Sequence, residues 1–185
     1  DIVPLKDTSD LKAIVGQLGE YDWVIFTSTN GVDAFFSSLY ETGRDARAFG
    51  DVKIAAIGPA TASALTRQGI IPDLVPKTYT TTAIVEALDS VGIRNASVLL
   101  PRADIAPDSL ANGLRNLGAN LREVDAYRTI TPTGASAIAR KVLASGTIDA
   151  LTFTSSSTVR NLVSLLDGDT TMLNACRVIS IGPVT

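Results

Sequence analysis

One pattern constrains this chain more than any other. A short apolar run breaks into small hydroxyl or glycine residues, then continues at helical spacing, and it does so twice in matching form. Phe26-Thr27-Ser28-Thr29-Asn30-Gly31-Val32 is answered by Phe153-Thr154-Ser155-Ser156-Ser157-Thr158-Val159. Behind each comes a second echo, Ile54-Ala55-Ala56-Ile57-Gly58-Pro59-Ala60-Thr61 and then Val178-Ile179-Ser180-Ile181-Gly182-Pro183-Val184-Thr185, at nearly the same distance. A buried strand that feeds a helix N-terminus reads this way. Two related α/β units are therefore expected, presenting similar edges to whatever lies between them.

The stretches between these turns fit the same scheme. Trp23 to Phe26 is a continuous apolar run, as in a strand buried on both faces of a parallel sheet. Val32, Phe35, Phe36 and Leu39 follow at helical spacing, and Gly43 stands where a helix should stop. The cycle repeats as a strand from Ile54 to Ile57, a helix from Ala60 to Gln68 stopped by Gly69, a short strand at Leu74-Val75 and a helix from Thr82 to Leu88. A strand from Ser97 to Leu100, a helix from Ser109 to Leu117 stopped by Gly118, and an extended Leu121 to Tyr127 complete the first unit. Ahead of them lie an extended Ile2 to Leu5 and a helix from Leu11 to Leu18, with Ser9 as its expected N-cap. Thr129 to Gly134 breaks the periodicity and reads as a linker. After it come a helix from Ala135 to Leu143, a strand from Ala150 to Phe153, a helix from Thr158 to Leu166 and a strand from Arg177 to Ile181. Strict alternation predicts a parallel sheet with helices on both faces and right-handed crossovers. The second unit has two such cycles against five in the first, so the chain is expected to be a trimmed piece at both ends.

Composition narrows the chemistry. Apolar residues make up 45%, enough for a packed core, and no apolar run approaches the roughly 18 residues of a membrane span. Histidine is absent and Cys176 is the single cysteine, so no Cys/His metal cluster, no Ser-His-Asp triad and no Cys-His dyad can form. Cys176 reads as a small buried apolar residue, and a lone cysteine fits a cytoplasmic setting. The net charge of −3 and the lack of a basic run argue against nucleic acid as a partner. No Walker loop or G-x-G-x-x-G is present to support nucleotide binding. Acid–base work is left to Tyr, Asp, Glu, Lys, Arg, hydroxyls and the backbone.

The turns have two readings each. Thr27, Ser28, Asn30 and Ser155, Ser156, Ser157 fall where a strand ends and a helix begins, where exposed N–H groups favour anions. Ser, Thr and Asn are also the preferred helix caps. Gly58, Ala60 and Thr61, matched by Gly182, Val184 and Thr185, belong to Gly-Pro turns that make good strand exits whether or not the two threonines face a ligand. Arg102 ends another strand, where it either clamps a carboxylate or pairs with Asp104 or Asp108. Tyr127, at the end of the first unit's last strand, suits packing as well as chemistry.

Taken in order, these stretches resemble the uroporphyrinogen-III synthase family. The matching pieces are Asp22 to Val32, the two Ile-Gly-Pro-x-Thr turns, Leu99-Leu100-Pro101-Arg102-Ala103-Asp104, Ala126-Tyr127-Arg128-Thr129 and Leu151 to Val159, spread over essentially the whole chain. The resemblance implies two flavodoxin-like α/β domains with parallel sheets, joined by a two-stranded connector, one domain inserted in the other. Residues 1–7 and 124–131 would be the connector strands, 8–123 the complete inserted domain, and 132–185 an incomplete second domain. The implied reaction closes linear hydroxymethylbilane, with loss of water and inversion of ring D, through a spiro intermediate and without cofactor or metal. By position, Thr27, Ser28, Asn30, Gly58, Ala60, Thr61, Arg102, Ser155, Ser156, Ser157, Gly182, Val184 and Thr185 would face the polycarboxylate substrate, and Tyr127 would donate the proton. The upstream bilane-forming enzyme is an expected partner, and a cytoplasmic monomer with no membrane contact the expected state. The rival readings are a non-catalytic two-domain ligand-binding module and an inactive fragment of a larger bifunctional tetrapyrrole enzyme.

Overall fold

Along Trp23, Val24, Ile25 and Phe26, successive side chains enter two different apolar layers, and this decides the architecture of the first unit. A computed structural model describes residues 1–182. The chain divides into two compact units, Asp1–Ile130 and the residues from Thr131 onward.

In the first unit the elements run β1 (Ile2–Val3), α1 (Ser9–Gly16), β2 (Trp23–Phe26), α2 (Thr29–Glu41), β3 (Lys53–Ala56), α3 (Pro59–Arg67), α4 (Thr81–Ser90), β4 (Ser97–Ala103), α5 (Ser109–Asn116) and β5 (Asn120–Thr129). They build one sheet in the order β1-β5-β4-β2-β3. The β3-β2, β2-β4 and β4-β5 pairs are parallel, as the alternation of strands and helices predicts. Val24 and Phe26 lie on the face covered by Leu11, Ile14 and Val15 of α1, Phe35, Phe36 and Leu39 of α2, and Leu65 of α3. Trp23 and Ile25 lie on the opposite face, with Ile84 and Leu88 of α4 and Leu110 and Leu114 of α5. Phe26 meets Phe35 edge-on at 5.4 Å between ring centroids, which fixes α2 against the strand that precedes it. On the other face α4 and α5 pack closely, because Gly113 leaves room for Val85.

β5 has two partners and one irregularity. From Ser97↔Asn120 to Arg102↔Asp125 the register with β4 is one to one, but the next pair is Ala103↔Tyr127. Ala126 is thus an extra residue, a β-bulge. Strand side chains alternate faces with a period of two, so one extra residue returns the next side chain to the face it would otherwise leave. Val124 points toward α1 and α2; strict alternation would turn Tyr127 to the α4–α5 side, and the bulge brings it back. Beyond Tyr127 the same strand pairs with β1, antiparallel, through Val3↔Arg128 and Ile2↔Thr129.

The second unit comprises α6 (Ala135–Ala144), β6 (Ala150–Phe153), α7 (Ser156–Leu165) and β7 (Arg177–Ser180). β6 and β7 pair in parallel from Ala150↔Arg177 to Phe153↔Ser180. Ser136 Oγ donates to the Leu165 carbonyl at 2.6 Å and ties α6 to the end of α7. Among the described residues no helix is long and apolar enough to cross a membrane.

Three local expectations are corrected. Leu74-Val75 forms only a single parallel bridge, Ala55↔Leu74, because Pro72 and Pro76 bracket it and Pro76 has no N–H to extend a ladder. Ser9 is not the cap of α1 but its first residue; its N–H is accepted by Asp7 Oδ1 at 2.9 Å. Cys176 is half-buried rather than buried, at the turn that enters β7.

Candidate active site

The carboxyl ends of β2, β3 and β4 lead into the N-termini of α2, α3 and α5, so first-unit turns singled out in the sequence gather along one edge of the sheet. Ser28 is the N-cap of α2, with extended backbone at φ −154° and ψ 155°. Its Oγ accepts the Gly31 N–H at 2.9 Å, leaving one fewer orphan donor in the first turn. The same Oγ lies 3.1 Å from the Tyr127 hydroxyl. Two residues 99 positions apart, both expected at the site, are brought into direct contact.

Gly31 is the residue that permits this. It is buried, and a Cβ placed there would stand 3.1 Å from Ser28 Oγ and 3.9 Å from Tyr127 Cε1. The sequence reading passed over it, although the Asn30-Gly31 step marked the spot. On the groove side Tyr127 and Asn30 join Ile2, Pro4, Leu5 and Ala34 in lining a depression of about 300 Å³ between β1, α1, α2 and the end of β5.

Thr27 goes the other way. It lines a smaller pocket of about 120 Å³ with Ile57, Thr81, Arg102, Ala106 and Ser109. The Arg102 side chain is only 11% exposed and both its terminal nitrogens are engaged: Nη1 with Glu123, Nη2 with the Ala106 carbonyl and, at 3.0 Å, with Asp108. Burial works against its charge, but the hydrogen bonds to Glu123 and Asp108 outweigh that, and the guanidinium is held above its usual pKa. Of the two readings of Arg102, pairing within the protein is the one the structure contains. Asp108 is a partner; Asp104 is not. Asp104 instead accepts the Thr129 N–H at 3.0 Å and faces Arg128 at 3.5 Å. Glu123, which no motif flagged, is the residue that fixes Arg102.

The Gly-Pro turn of the first unit is built as expected, with Gly58 as N-cap and Pro59 in the first turn of α3. Ala60 is exposed there, but Thr61 is buried at 4% exposure, so its hydroxyl does not project freely from the edge. Gly58 is buried beneath Tyr79, whose Cβ stands 3.2 Å from the position of an added Cβ.

In the second unit Ser155 repeats the cap of Ser28, at φ −158° and ψ 155°. Its Oγ accepts the Thr158 N–H at 3.3 Å and lies 2.9 Å from Ser157 Oγ. Ser156 begins α7, and Ser157 is exposed. Gly182 follows β7, whereas Val184 and Thr185 lie outside the described residues. Among the described residues no cluster of carboxylate or cysteine ligands is arranged to hold a metal ion.

Comparison with known proteins adds the following. The family model described as "Uroporphyrinogen-III synthase HemD" matches residues 1–185. A Methanothermobacter thermautotrophicus protein provisionally named a uroporphyrinogen-III synthase is 34% identical over 184 residues, covering 96% of this chain and 72% of its own length. The porphyrin biosynthesis protein HemD of Ruminiclostridium josui is 31% identical, with 89% of this chain matching 32% of that protein. Among solved structures, a mutant uroporphyrinogen III synthase from Thermus thermophilus superposes with a TM-score of 0.72 at 20% identity, covering 100% of this chain and 73% of that one. That likeness is one of fold, a mixed α/β architecture with a mainly parallel sheet.

Proposed function

The chain belongs to the uroporphyrinogen-III synthase family, and from that premise we propose that it closes linear hydroxymethylbilane to uroporphyrinogen III, with loss of water and inversion of ring D. The observation that carries this reading is the placement of Tyr127. It lies near the end of β5, half-buried, with its hydroxyl 3.1 Å from a helix-capping serine. The phenol is the proton donor. Its proton passes to the hydroxymethyl oxygen as the C–O bond breaks, and water departs. The azafulvene left behind is attacked at its exocyclic carbon by the substituted carbon of ring D, which forms the spiro intermediate. The bond from that ring D carbon to its original methylene then breaks, and ring D recloses, inverted, through its other α-carbon. The proton lost from a pyrrole carbon at the final closure restores the phenol, so no external acid or cofactor is consumed. Bilane also closes unaided to the uninverted isomer, so the protein's main contribution is geometric control.

The donors around the site suit a substrate rich in carboxylates. Thr27, Asn30, Gly58, Ala60, Ser155, Ser156, Ser157, Gly182, Val184 and Thr185 are assigned to it by the family pattern; Thr61 belongs to the same pattern, but its buried hydroxyl does not project from the edge. Arg102 brings its terminal nitrogens into that set by giving up Asp108 or Glu123. With a net charge of −3, long-range attraction does not help a polyanion, and affinity rests on these local donors. The same reading takes 8–123 and 132–185 as two flavodoxin-like domains, with 1–7 and 124–131 as connector strands. It places the protein in the cytoplasm as a monomer that receives its substrate from the bilane-forming enzyme. A second reading, a role within a longer tetrapyrrole-biosynthesis chain, is favoured by the Ruminiclostridium josui relative, of which this chain matches only 32%.

The test supplies enzymatically generated hydroxymethylbilane and resolves the isomers formed. Isomer III is expected above the spontaneous background; isomer I alone overturns the reading. Tyr127→Phe is expected to slow isomer III formation on the order of 10²-fold, the typical worth of a positioned proton donor.

A further inference from the structure

We propose that Ser28 is a positioning residue for Tyr127, and not a contact for the substrate's carboxylates. This rests on the proposed role of Tyr127.

Three independent features of the fold converge on the pair. The bulge at Ala126 returns Tyr127 to the α2 side of the sheet, where Ser28 is. Gly31 leaves open the space in which the two side chains meet. The cap itself fixes Ser28 Oγ through the Gly31 N–H, so the hydroxyl cannot turn away without giving up a helix donor. The second unit shows that capping alone does not call for a tyrosine. Ser155 has the same backbone angles within a few degrees and caps the same N–H position, yet its hydroxyl neighbours are Ser157 and Thr158.

The hydrogen-bond inventory of Ser28 permits the direction that this role requires. Its Oγ accepts from Gly31 with one lone pair, and its own O–H remains to donate. Donated to Tyr127 Oη, that proton leaves the phenolic O–H free to point at the substrate's hydroxyl. When Tyr127 gives up its proton, the phenolate it becomes keeps the Ser28 O–H as a partner, with the positive end of the α2 dipole behind it. Ser28 thus acts on the reaction only through Tyr127, and an oxygen engaged on both sides has little left for a carboxylate.

The experiment measures isomer III formation by the chain with Ser28→Ala, Ser28→Thr, Tyr127→Phe and the Ser28→Ala/Tyr127→Phe double substitution. Ser28→Ala is expected to lower kcat about tenfold with KM changed less than twofold, as for an interaction made only in the transition state. Ser28→Thr, which keeps both the oxygen and the cap, restores most of the rate. In the Tyr127→Phe background, Ser28→Ala is expected to add no further loss. A rise in KM at unchanged kcat overturns the proposal in favour of a substrate contact. A full tenfold loss in the Tyr127→Phe background overturns it in favour of capping alone. If the unsubstituted chain forms no isomer III, the functional reading has failed instead, and the pairing is read from urea unfolding of the same four proteins. There the two substitutions together are expected to cost less stability than their sum, and strict additivity overturns the pairing.

Discussion

The guanidinium of Arg102 reaches diagonally across the β4–β5 ladder to the carboxylate of Glu123, which a second arginine, Arg115, also engages. Because Arg102 is almost buried, this pairing fastens the end of the sheet. Removing the arginine leaves Glu123 with a single, half-exposed partner and strands the Ala106 carbonyl. Arg102→Ala is therefore expected to cost about 3 kcal/mol of stability, the usual penalty for breaking a largely buried pair. Chemical denaturation measures it; a loss under about 1 kcal/mol would mean that the charge network is loosely held.

Gly31→Ala sets two effects against each other. Alanine favours a helix over glycine by up to about 1 kcal/mol, but here its methyl would press on the Ser28 oxygen at 3.1 Å. The expected outcome is little net change in stability and a clear loss of isomer III formation, since the displaced cap takes Tyr127 with it. Unfolding midpoints and the isomer-resolved assay separate the two; a variant as active as the parent would contradict the tight fit.

At Gly113 the same propensity gain is expected to be overwhelmed. An added Cβ would stand 2.8 Å from Val85 Cγ2, and a β-branched side chain cannot swing clear without leaving its rotamer. Gly113→Ala should destabilise by about 1–3 kcal/mol. Pairing it with Val85→Ala should recover part of that loss, and a double variant no better than the single one would place the strain elsewhere.

Tyr21 gives the fold a sensitivity to alkali. Burial raises its pKa above the usual value near 10, with Glu20 and Asp10 adding to the shift and Arg122 opposing it. The folded chain therefore holds this proton more tightly than the unfolded one. The associated stability is complete below pH 10 and is lost as the pH rises through the folded value. Tyr21→Phe is expected to flatten the decline in unfolding midpoint above pH 10; an unchanged alkaline limb would assign it to other groups.

Much of this was legible in the sequence, for identifiable reasons. Trp23 to Phe26 and Ser97 to Leu100 are apolar on both faces, so no other element suits them, and the stops at Gly69 and Gly118 are the left-handed residues that end helices, at φ 85° and 82°. The capping serines were legible too, as a residue type at a boundary. The contacts between distant elements were not. That Tyr127 meets Ser28 depends on a single unpaired residue in β5, and a bulge leaves no compositional trace at Ala126. Arg102 shows the complementary failure: it lies near several acids in sequence, and only the β4–β5 register selects Glu123, with Asp108 beside it. Leu74-Val75 was over-read because two apolar residues look like a strand until the prolines on either side are weighed.

The bulge also sets a rule for how proteins built like this one can change over generations. Surface connections that bury no side chain can lengthen or shorten with modest effect. Between Leu121 and Ala126, by contrast, the count of residues is itself information: adding or deleting one reverses the parity of the strand and sends Tyr127 to the wrong side of the sheet. Insertions there are expected to come only in compensating pairs. In this segment, length matters as much as the tyrosine itself.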